Sequence, residues 1–394
     1  MTKPHRGALC ILGLTLISGY CSAQVPGLEP EKDWQLGGYV KYMLTYTLPD
    51  HQSNTLDHLI HQRFNFEYRF KPGWSFNAGM RNRLLAGDSV DIPYYKQLAS
   101  HDTGYWDLNR NLIEEDSWFV NSQFDRLFVD WKNSDWNARL GRFRINWSMN
   151  TIWNPNDLLN AYSIYDFDYE ERAGSDALLI GRNLGIADGF ELVFSPKRDQ
   201  QLNDYLARYY GNYSGWDYQL IGGKNALDNV IGAGFATDWY GAGIRGEYSW
   251  YQARRDYYQG RRLSNNQVFS LESDYSFASD RNWLLRAAYL YIEHPLAVFS
   301  AQSYLSLPLN SKSLSFSRHT GYVEVGFDLT PLNRTALSSV IYDDGSYFVG
   351  LSNSYSLAND WQLLAVLQRF DGAGGSLFGD TPATLLFANI RWSF

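Results

Sequence analysis

The sequence predicts an all-β protein, a transmembrane antiparallel β-barrel of about 18 strands with short periplasmic turns and long outer loops, or of about 16 strands as the second choice. Three observations support this fold class. Long segments alternate between apolar and polar residues, short and long connections alternate along the chain, and the last apolar segment ends on an aromatic residue, Phe394. A soluble sandwich also alternates, but its strands need not reach the ten or so residues that cross a membrane.

Residues 1–23 have the features of a secretory signal peptide. Lys3 and Arg6 precede the apolar run 8–17, and small residues lead up to Ala23. The run is shorter than the roughly 20 residues of a membrane-spanning helix. We therefore expect cleavage after residue 23 and a single barrel domain over 24–394.

The composition excludes several classes of function. Both cysteines, Cys10 and Cys21, lie in the predicted leader, so the mature chain would contain neither a disulfide framework nor a thiolate metal site. The net charge of −8 becomes −10 without the leader, because the leader carries two basic and no acidic residues. An acidic exported chain is a poor candidate for binding nucleic acid.

Alternation is clearest in the segment 60–70, "IHQRFNFEYRF". Phe64 and Phe66 fall on one face, and Arg63 and Asn65 fall on the other. Successive side chains of a strand point to opposite faces, so this segment has an aromatic face and an ionic face. The same pattern predicts strands at 35–48, 58–70, 74–85, 123–132, 136–147, 176–183, 189–195, 204–212, 216–224, 229–236, 240–252, 265–277, 282–293, 316–329, 334–343, 346–357, 361–370 and 381–394.

The final segment, "LLFANIRWSF", places its apolar residues on one face and ends on Phe394. It resembles the C-terminal targeting strand of bacterial outer-membrane proteins. This resemblance implies the bacterial outer membrane as the location, with outer-membrane lipid and the outer-membrane assembly machinery as partners.

The polar faces of the early strands carry arginines that we expect to line the interior. They are Arg63, Arg69, Arg81, Arg83, Arg126, Arg142 and Arg144. A barrel of about 16 to 18 strands is too wide for its own side chains to fill. Two interpretations stay open: the arginines pair with acids and hold the wall together, or they form a basic wall along an aqueous path and set its ion preference.

Two long loops, 86–122 and 148–175, could enter the barrel. In the second, Asn154 is predicted to cap a short helix with Pro155 at its first position. Apolar residues such as Leu158 then give the loop a surface to bury, which favours folding into the barrel as a constriction or plug.

The run "GRFRINWSMNTIWNPNDLLNAYSIYDFDYEERAGSDALLI" resembles outer-membrane channel proteins of the porin superfamily. It is most similar to alginate-export-like barrels and to a related uncharacterised group with a Gly-Arg-x-Arg strand before a Trp-Asn-Pro-Asn-Asp loop. The resemblance implies an inward loop whose acids face a basic wall. The implied constriction residues are Asp157, Asp166, Asp168, Glu170 and Glu171, preceded by Arg142 and Arg144. The loop is larger and more acidic than a plain diffusion porin needs.

The same acids could bind a metal, since Asp166, Asp168 and Glu170 would share one face of an extended segment. Hard cations prefer oxygen ligands, but the loop lacks the glycine-containing Ca²⁺-binding pattern. Bound Ca²⁺ is therefore the weaker interpretation, pairing with arginines is the stronger one, and no other cofactor or metal is expected.

We expect no enzymatic activity, because the histidines lie in neither a His-Glu-x-x-His nor a Gly-x-Ser-x-Gly pattern. The predicted function is a channel for passive passage of small hydrophilic solutes, including anions. The alternatives are a plugged barrel for export or assembly of a surface polysaccharide, and a hydrolase with its site at the barrel rim.

Overall fold

The computed structural model describes residues 32–161, 163–165, 172, 174–298, 300–306 and 310–394. The predicted signal peptide, 1–23, lies outside the described residues. The strands are β1 Trp34–Pro49, β2 Thr55–Lys71, β3 Trp74–Gly87, β4 Asn109–Glu114, β5 Trp118–Lys132, β6 Trp136–Phe143, β7 Ser175–Asn183, β8 Gly189–Ser195, β9 Asp204–Tyr213, β10 Trp216–Asn225, β11 Asp228–Trp239, β12 Ala242–Ala253, β13 Tyr257–Tyr258, β14 Arg261–Arg262, β15 Asn266–Ser276, β16 Leu284–Ile292, β17 His319–Thr330, β18 Asn333–Tyr342, β19 Ser346–Ala358, β20 Trp361–Gly372 and β21 Ala383–Ser393. Two short helices, α1 Tyr95–Ser100 and α2 Ala301–Ser306, lie in loops.

Every strand except β4, β13 and β14 belongs to one closed antiparallel barrel of 18 strands. The first and last strands close it, with Tyr39 opposite Ser393 and Pro49 opposite Ala383. Gly38 and Phe394 exchange two backbone hydrogen bonds of 3.0 Å at the seam. The predicted all-β barrel and its larger strand number are confirmed.

The two faces of the wall differ as the alternation predicts. In β10, Leu220 is 57% exposed, whereas its neighbours Gln219 and Ile221 are 1% and 4% exposed. Outward side chains are apolar and exposed, as in the lipid-facing band of a transmembrane barrel. Inward side chains are buried beneath loops that enter the barrel. No helix in the described ranges is long and apolar enough to span a membrane.

The length of the strands varies around the barrel. Strands β1 and β2 have 16 and 17 residues, but β6, β7 and β8 have only 8, 9 and 7. The prediction that β6 continues to residue 147 is wrong, because the chain leaves the wall after Phe143. The unpredicted strand β4 pairs with β5 beyond the end of β6, with Asn109 opposite Gln123.

Candidate functional site: the barrel interior

Residues 144–174 connect β6 to β7, and we call them the inner loop. Their described part enters the barrel, where Trp147, Ile152, Trp153 and Leu158 are buried. These side chains join a core with inward residues of the opposite wall, including Val230, Val268 and Leu290. The predicted inward course of this loop therefore agrees with its contacts.

Glu247 of β12 holds the inner loop through the loop's backbone. Its carboxylate accepts hydrogen bonds from the N–H groups of Asn150 at 2.9 Å and Asn156 at 2.9 Å, and also from that of Met149. Glu247 is 1% exposed, so these bonds replace its hydration. The carboxylate thus joins two turns of the loop to the wall.

Glu272 of β15 forms a second attachment beside the first. It accepts from the N–H groups of Thr151 at 2.7 Å and Ile152 at 3.0 Å, and from the Thr151 hydroxyl. Further along the wall, Gln219 donates to the Trp147 carbonyl at 2.6 Å. Hydrogen bonds to a charged group are stronger than neutral ones, so the two glutamates are the principal attachments.

The predicted helix capped by Asn154 is wrong. Residues 154–160 form turns, with the Asp157 N–H donating to the Asn154 carbonyl at 3.1 Å. The N–H of Asn156, which a capping side chain would satisfy, donates to Glu247 instead. The carboxylate of Glu247 therefore takes the place of the capping side chain that the sequence predicted for this N–H group.

Asp157, a residue of the inner loop, is fully buried. One carboxylate oxygen accepts from the Asn160 N–H at 3.2 Å, and the other has no hydrogen-bond partner in the described part of the chain. Burial raises the pKa of Asp157 to about 6, against the opposing charges of Arg144 and Arg172. Asp157 therefore presents no charge to open solvent.

The remaining predicted constriction acids, Asp166, Asp168, Glu170 and Glu171, lie outside the described residues. Their pairing with arginines and the weaker Ca²⁺ interpretation stay predictions. Among the residues that the structure describes, no group of three or more His, Cys, Asp or Glu side chains is arranged to hold a metal ion.

The predicted basic residues of β2 and β3 make structural contacts. Arg63 is buried and forms a two-point ion pair with Asp125, at 2.6 and 3.0 Å. Arg81 donates to the side-chain oxygen of Gln123, and Arg83 donates to that of Asn121. Arg69 lies 3.3 Å from Glu67, and both side chains are more than one third exposed. The wall-structure interpretation fits Arg63 best.

Arg126 and Arg144 behave differently. Both are partly exposed, and neither makes an ion pair or hydrogen bond with any described residue. Their side chains add positive charge to the interior. Arg126, on β5, fits the interpretation of a basic wall along an aqueous path, whereas Arg144 is the first residue of the inner loop and carries its charge there.

Arg142 lies on the other face of the wall. It pairs in register with Asp176, and alternation along β7 places Asp176 on the outward face with Leu178 and Ile180. Its guanidinium binds Asp176 at 2.8 Å and Asp102 at 2.6 Å, and it is 2% exposed. The prediction that Arg142 lines the pore is therefore wrong.

The described part of a second loop, 293–318, also packs inside the barrel, which the sequence did not indicate. Tyr304, Leu314 and Phe316 are buried or partly buried in the core. The Phe316 ring stacks on Tyr342 with the centroids 4.5 Å apart. The only signal was a leucine- and serine-rich composition without charge alternation.

A cavity of about 270 Å³ remains between the inner loop and the wall. Ile152 lines one side, and Arg286, Tyr322 and Glu324 line the other. Arg286 and Glu324 approach to 3.5 Å, and the Tyr322 hydroxyl donates to Glu324 at 2.6 Å. The interior thus keeps a polar space beside the loop.

No family model and no curated protein matches the sequence. Solved structures do match. OpdQ of Pseudomonas aeruginosa has a TM-score of 0.60 at 8% identity, over 92% of this chain and 99% of that chain. OccAB4 of Acinetobacter baumannii has a TM-score of 0.57 at 9% identity, over 91% of this chain and 98% of that chain. The outer membrane protein OprD of Pseudomonas aeruginosa has a TM-score of 0.56 at 9% identity, over 92% of this chain and 94% of that chain. At these identities the likeness shows the fold, so this chain is an all-β barrel of the same architecture as OprD.

Proposed function

We propose that the chain is a bacterial outer-membrane channel for passive passage of small hydrophilic solutes, with a preference for anions. The single observation that carries the proposal is the inner loop, whose described part lies inside a wide barrel and is attached to Glu247 and Glu272. We expect a loop held in this way to narrow the aqueous path and to leave room beside it, where the cavity of about 270 Å³ lies. The fold shared with an outer membrane protein supports the location.

The anion preference rests on the arginines that have no ion-pair partner in the described part of the chain. On the later strands, Arg245 binds Asp274, and Arg286 lies near Glu272 and Glu324. The negative charges of the acidic side chains on these later strands are therefore balanced by arginines or stabilised by N–H groups of the inner loop. Arg126 and Arg144 have no such compensation among the described residues, and rings of basic side chains favour anions in a pore.

Electrical recording in planar bilayers tests the proposal. The purified, folded chain should give stable conductance steps, and a salt gradient should give a reversal potential of the sign for anions. A folded preparation without steps would support the plugged polysaccharide-export barrel, and ester or peptide hydrolysis without conductance would support the rim hydrolase.

Charge variants test the residues. Arg126→Gln with Arg144→Gln should move the reversal potential toward cation preference, because two charges without an ion-pair partner among the described residues are removed. Arg139→Gln, which releases Asp130, is the control with its charge already paired and should move the reversal potential in the same direction by a smaller amount. An unchanged reversal potential in the double variant would remove these arginines from the solute path.

A further inference from the structure

We propose that residues 103–107 are a lipid-binding element on the outward face of the barrel, with Tyr105 and Trp106 lying at the boundary between lipid head groups and acyl chains. These residues belong to the rim loop, 88–117, which connects β3 to β5. The inference rests on the membrane location in the proposed function and adds a specific lipid contact to it.

The attachment of this element to the wall fixes the side on which it lies. Asp176 faces outward, and its carboxylate accepts from the Trp106 N–H at 3.0 Å. Arg142, beside Asp176, donates to the Trp106 carbonyl at 2.8 Å. Both polar backbone groups of Trp106 therefore point at the outward face of the wall.

The network beneath the element is closed and buried. Arg142 lies between Asp102 and Asp176, and Asp102 also accepts from the N–H groups of Gly104 at 2.8 Å and Leu108 at 2.9 Å. A Cβ atom on Gly104 would lie 2.0 Å from Arg142 Nη2. The backbone of residues 103–107 thus packs directly on the ion pairs, and this contact fixes the position of the segment on the wall.

The rings above this network are covered only in part by the described residues. Tyr105 is 49% exposed and Trp106 is 44% exposed, and their rings meet edge to face at 5.9 Å. Tyrosine and tryptophan are the residues that favour the membrane interface, where an apolar ring and a polar group are both satisfied.

We assign lipid as the partner of Tyr105 and Trp106 because these residues continue the lipid-facing surface of the barrel above its shortest strands. Leu140, Leu178 and Leu192, the outward residues below them, are 57%, 37% and 50% exposed. The 7 residues of β8 rise only about 18 Å at the usual tilt, less than the roughly 25 Å of a barrel's apolar band. The element supplies apolar surface that the short strands β6–β8 do not.

Site-specific fluorescence tests the proposal, since no cysteine follows residue 23 and each introduced cysteine would be a unique label site in the mature chain. Tyr105→Cys carries an environment-sensitive label in phosphatidylcholine vesicles that contain a nitroxide-labelled lipid. Leu178→Cys is the control for the lipid-facing wall, and Arg261→Cys in the β13–β14 hairpin is the control for water. We expect blue-shifted emission and lipid quenching at residue 105, close to those at residue 178.

Adding Arg142→Met to Tyr105→Cys should shift the emission toward that of the label at residue 261, because the network that positions the element is lost. Water-like emission at 105 with quenching at 178 would overturn the inference alone. Absence of lipid quenching at 178 would instead contradict the membrane location. Self-quenching at 105 that rises with protein density would mean that a second copy, not lipid, covers the patch, and would also overturn the inference.

Discussion

The rim loop and the inner loop leave the same end of the barrel but are attached to it by opposite chemistry. In the rim loop, one cation, Arg142, lies between the carboxylates of Asp102 and Asp176 on the outward face. In the inner loop, two wall carboxylates, Glu247 and Glu272, accept from backbone N–H groups inside the barrel. The first attachment depends on one side chain of the motif "GRFR". The attachment of the inner loop depends on the two wall glutamates and very little on the identity of the loop residues, because most of the groups that donate are backbone N–H groups.

The largest effect should follow from Glu247→Gln combined with Glu272→Gln. Each charged hydrogen bond contributes about 1.5–3 kcal/mol, and each substitution removes the charge and replaces one accepting oxygen with an NH2 group that faces buried N–H donors. Hydrogen exchange of the amides at 149–156 should become much faster. Asp280→Asn, an exposed acid in the turn at the other end of the barrel, should leave them protected. Unchanged protection in the double variant would mean that apolar packing alone holds the inner loop.

The next effect in size concerns the rim loop. Arg142→Met leaves two buried carboxylates without their partner, a change that costs about 3–5 kcal/mol in buried ion pairs. The amides of Gly104, Trp106 and Leu108 should lose protection from exchange, whereas those at 149–156 should keep it.

Arg139→Met is the matched control for Arg142→Met. Arg139 lies on the same strand, β6, and its ion pair with Asp130 of β5 leaves the arginine side chain 36% exposed. Its effect should be smaller, since exposed pairs contribute about 0–1 kcal/mol. Equal effects of the two substitutions would show that burial of Arg142 adds nothing to the attachment.

A smaller effect is expected for Gly104→Ala. The new methyl group would meet Arg142 Nη2 and Asp176 Oδ2 at 2.0 and 2.5 Å, so the segment must move away from the network. Gly374→Ala is the control, because nothing lies within 4 Å of its Cβ position. Thermal denaturation in detergent should show a lower transition temperature for the first variant only.

The smallest effect is a pH dependence of the inner loop. Because the pKa of Asp157 is raised to about 6, the folded state binds its proton more tightly than the unfolded state does. The attachment should therefore weaken as the pH rises from about 4 through about 6. Hydrogen exchange of 149–156, corrected for intrinsic rates, should show this trend, and Asp157→Asn should reduce it. A trend of opposite sign would mean that Asp157 is stabilised as an anion.

The sequence predicted the barrel well because its signal is local and repeated. Side chains alternate with a period of two, so each of the predicted segments corresponds to a barrel strand. The terminal segment before Phe394 likewise forms the strand that closes the barrel.

The site was predicted less well, because it depends on partners that are distant in sequence. Glu247 and Glu272 were recognisable as polar-face acids, but no pattern shows that they accept from N–H groups about 90 to 120 positions earlier. Arg142 and Arg144 look equivalent in "GRFR", yet Arg142 shares the outward face of β6 with the exposed Leu140, whereas Arg144 follows the last residue of that strand. Alternation along β6 therefore assigns Arg142 to the outward face and does not apply to Arg144.

The measurement that tests the central claim most directly is the single-channel conductance of Glu247→Gln combined with Glu272→Gln against that of the native chain. If the attached inner loop narrows the aqueous path, the variant should give larger and noisier steps, while Arg142→Met should give steps of native size. Equal conductance in the double variant, together with exchange data showing that its loop is released, would contradict the account.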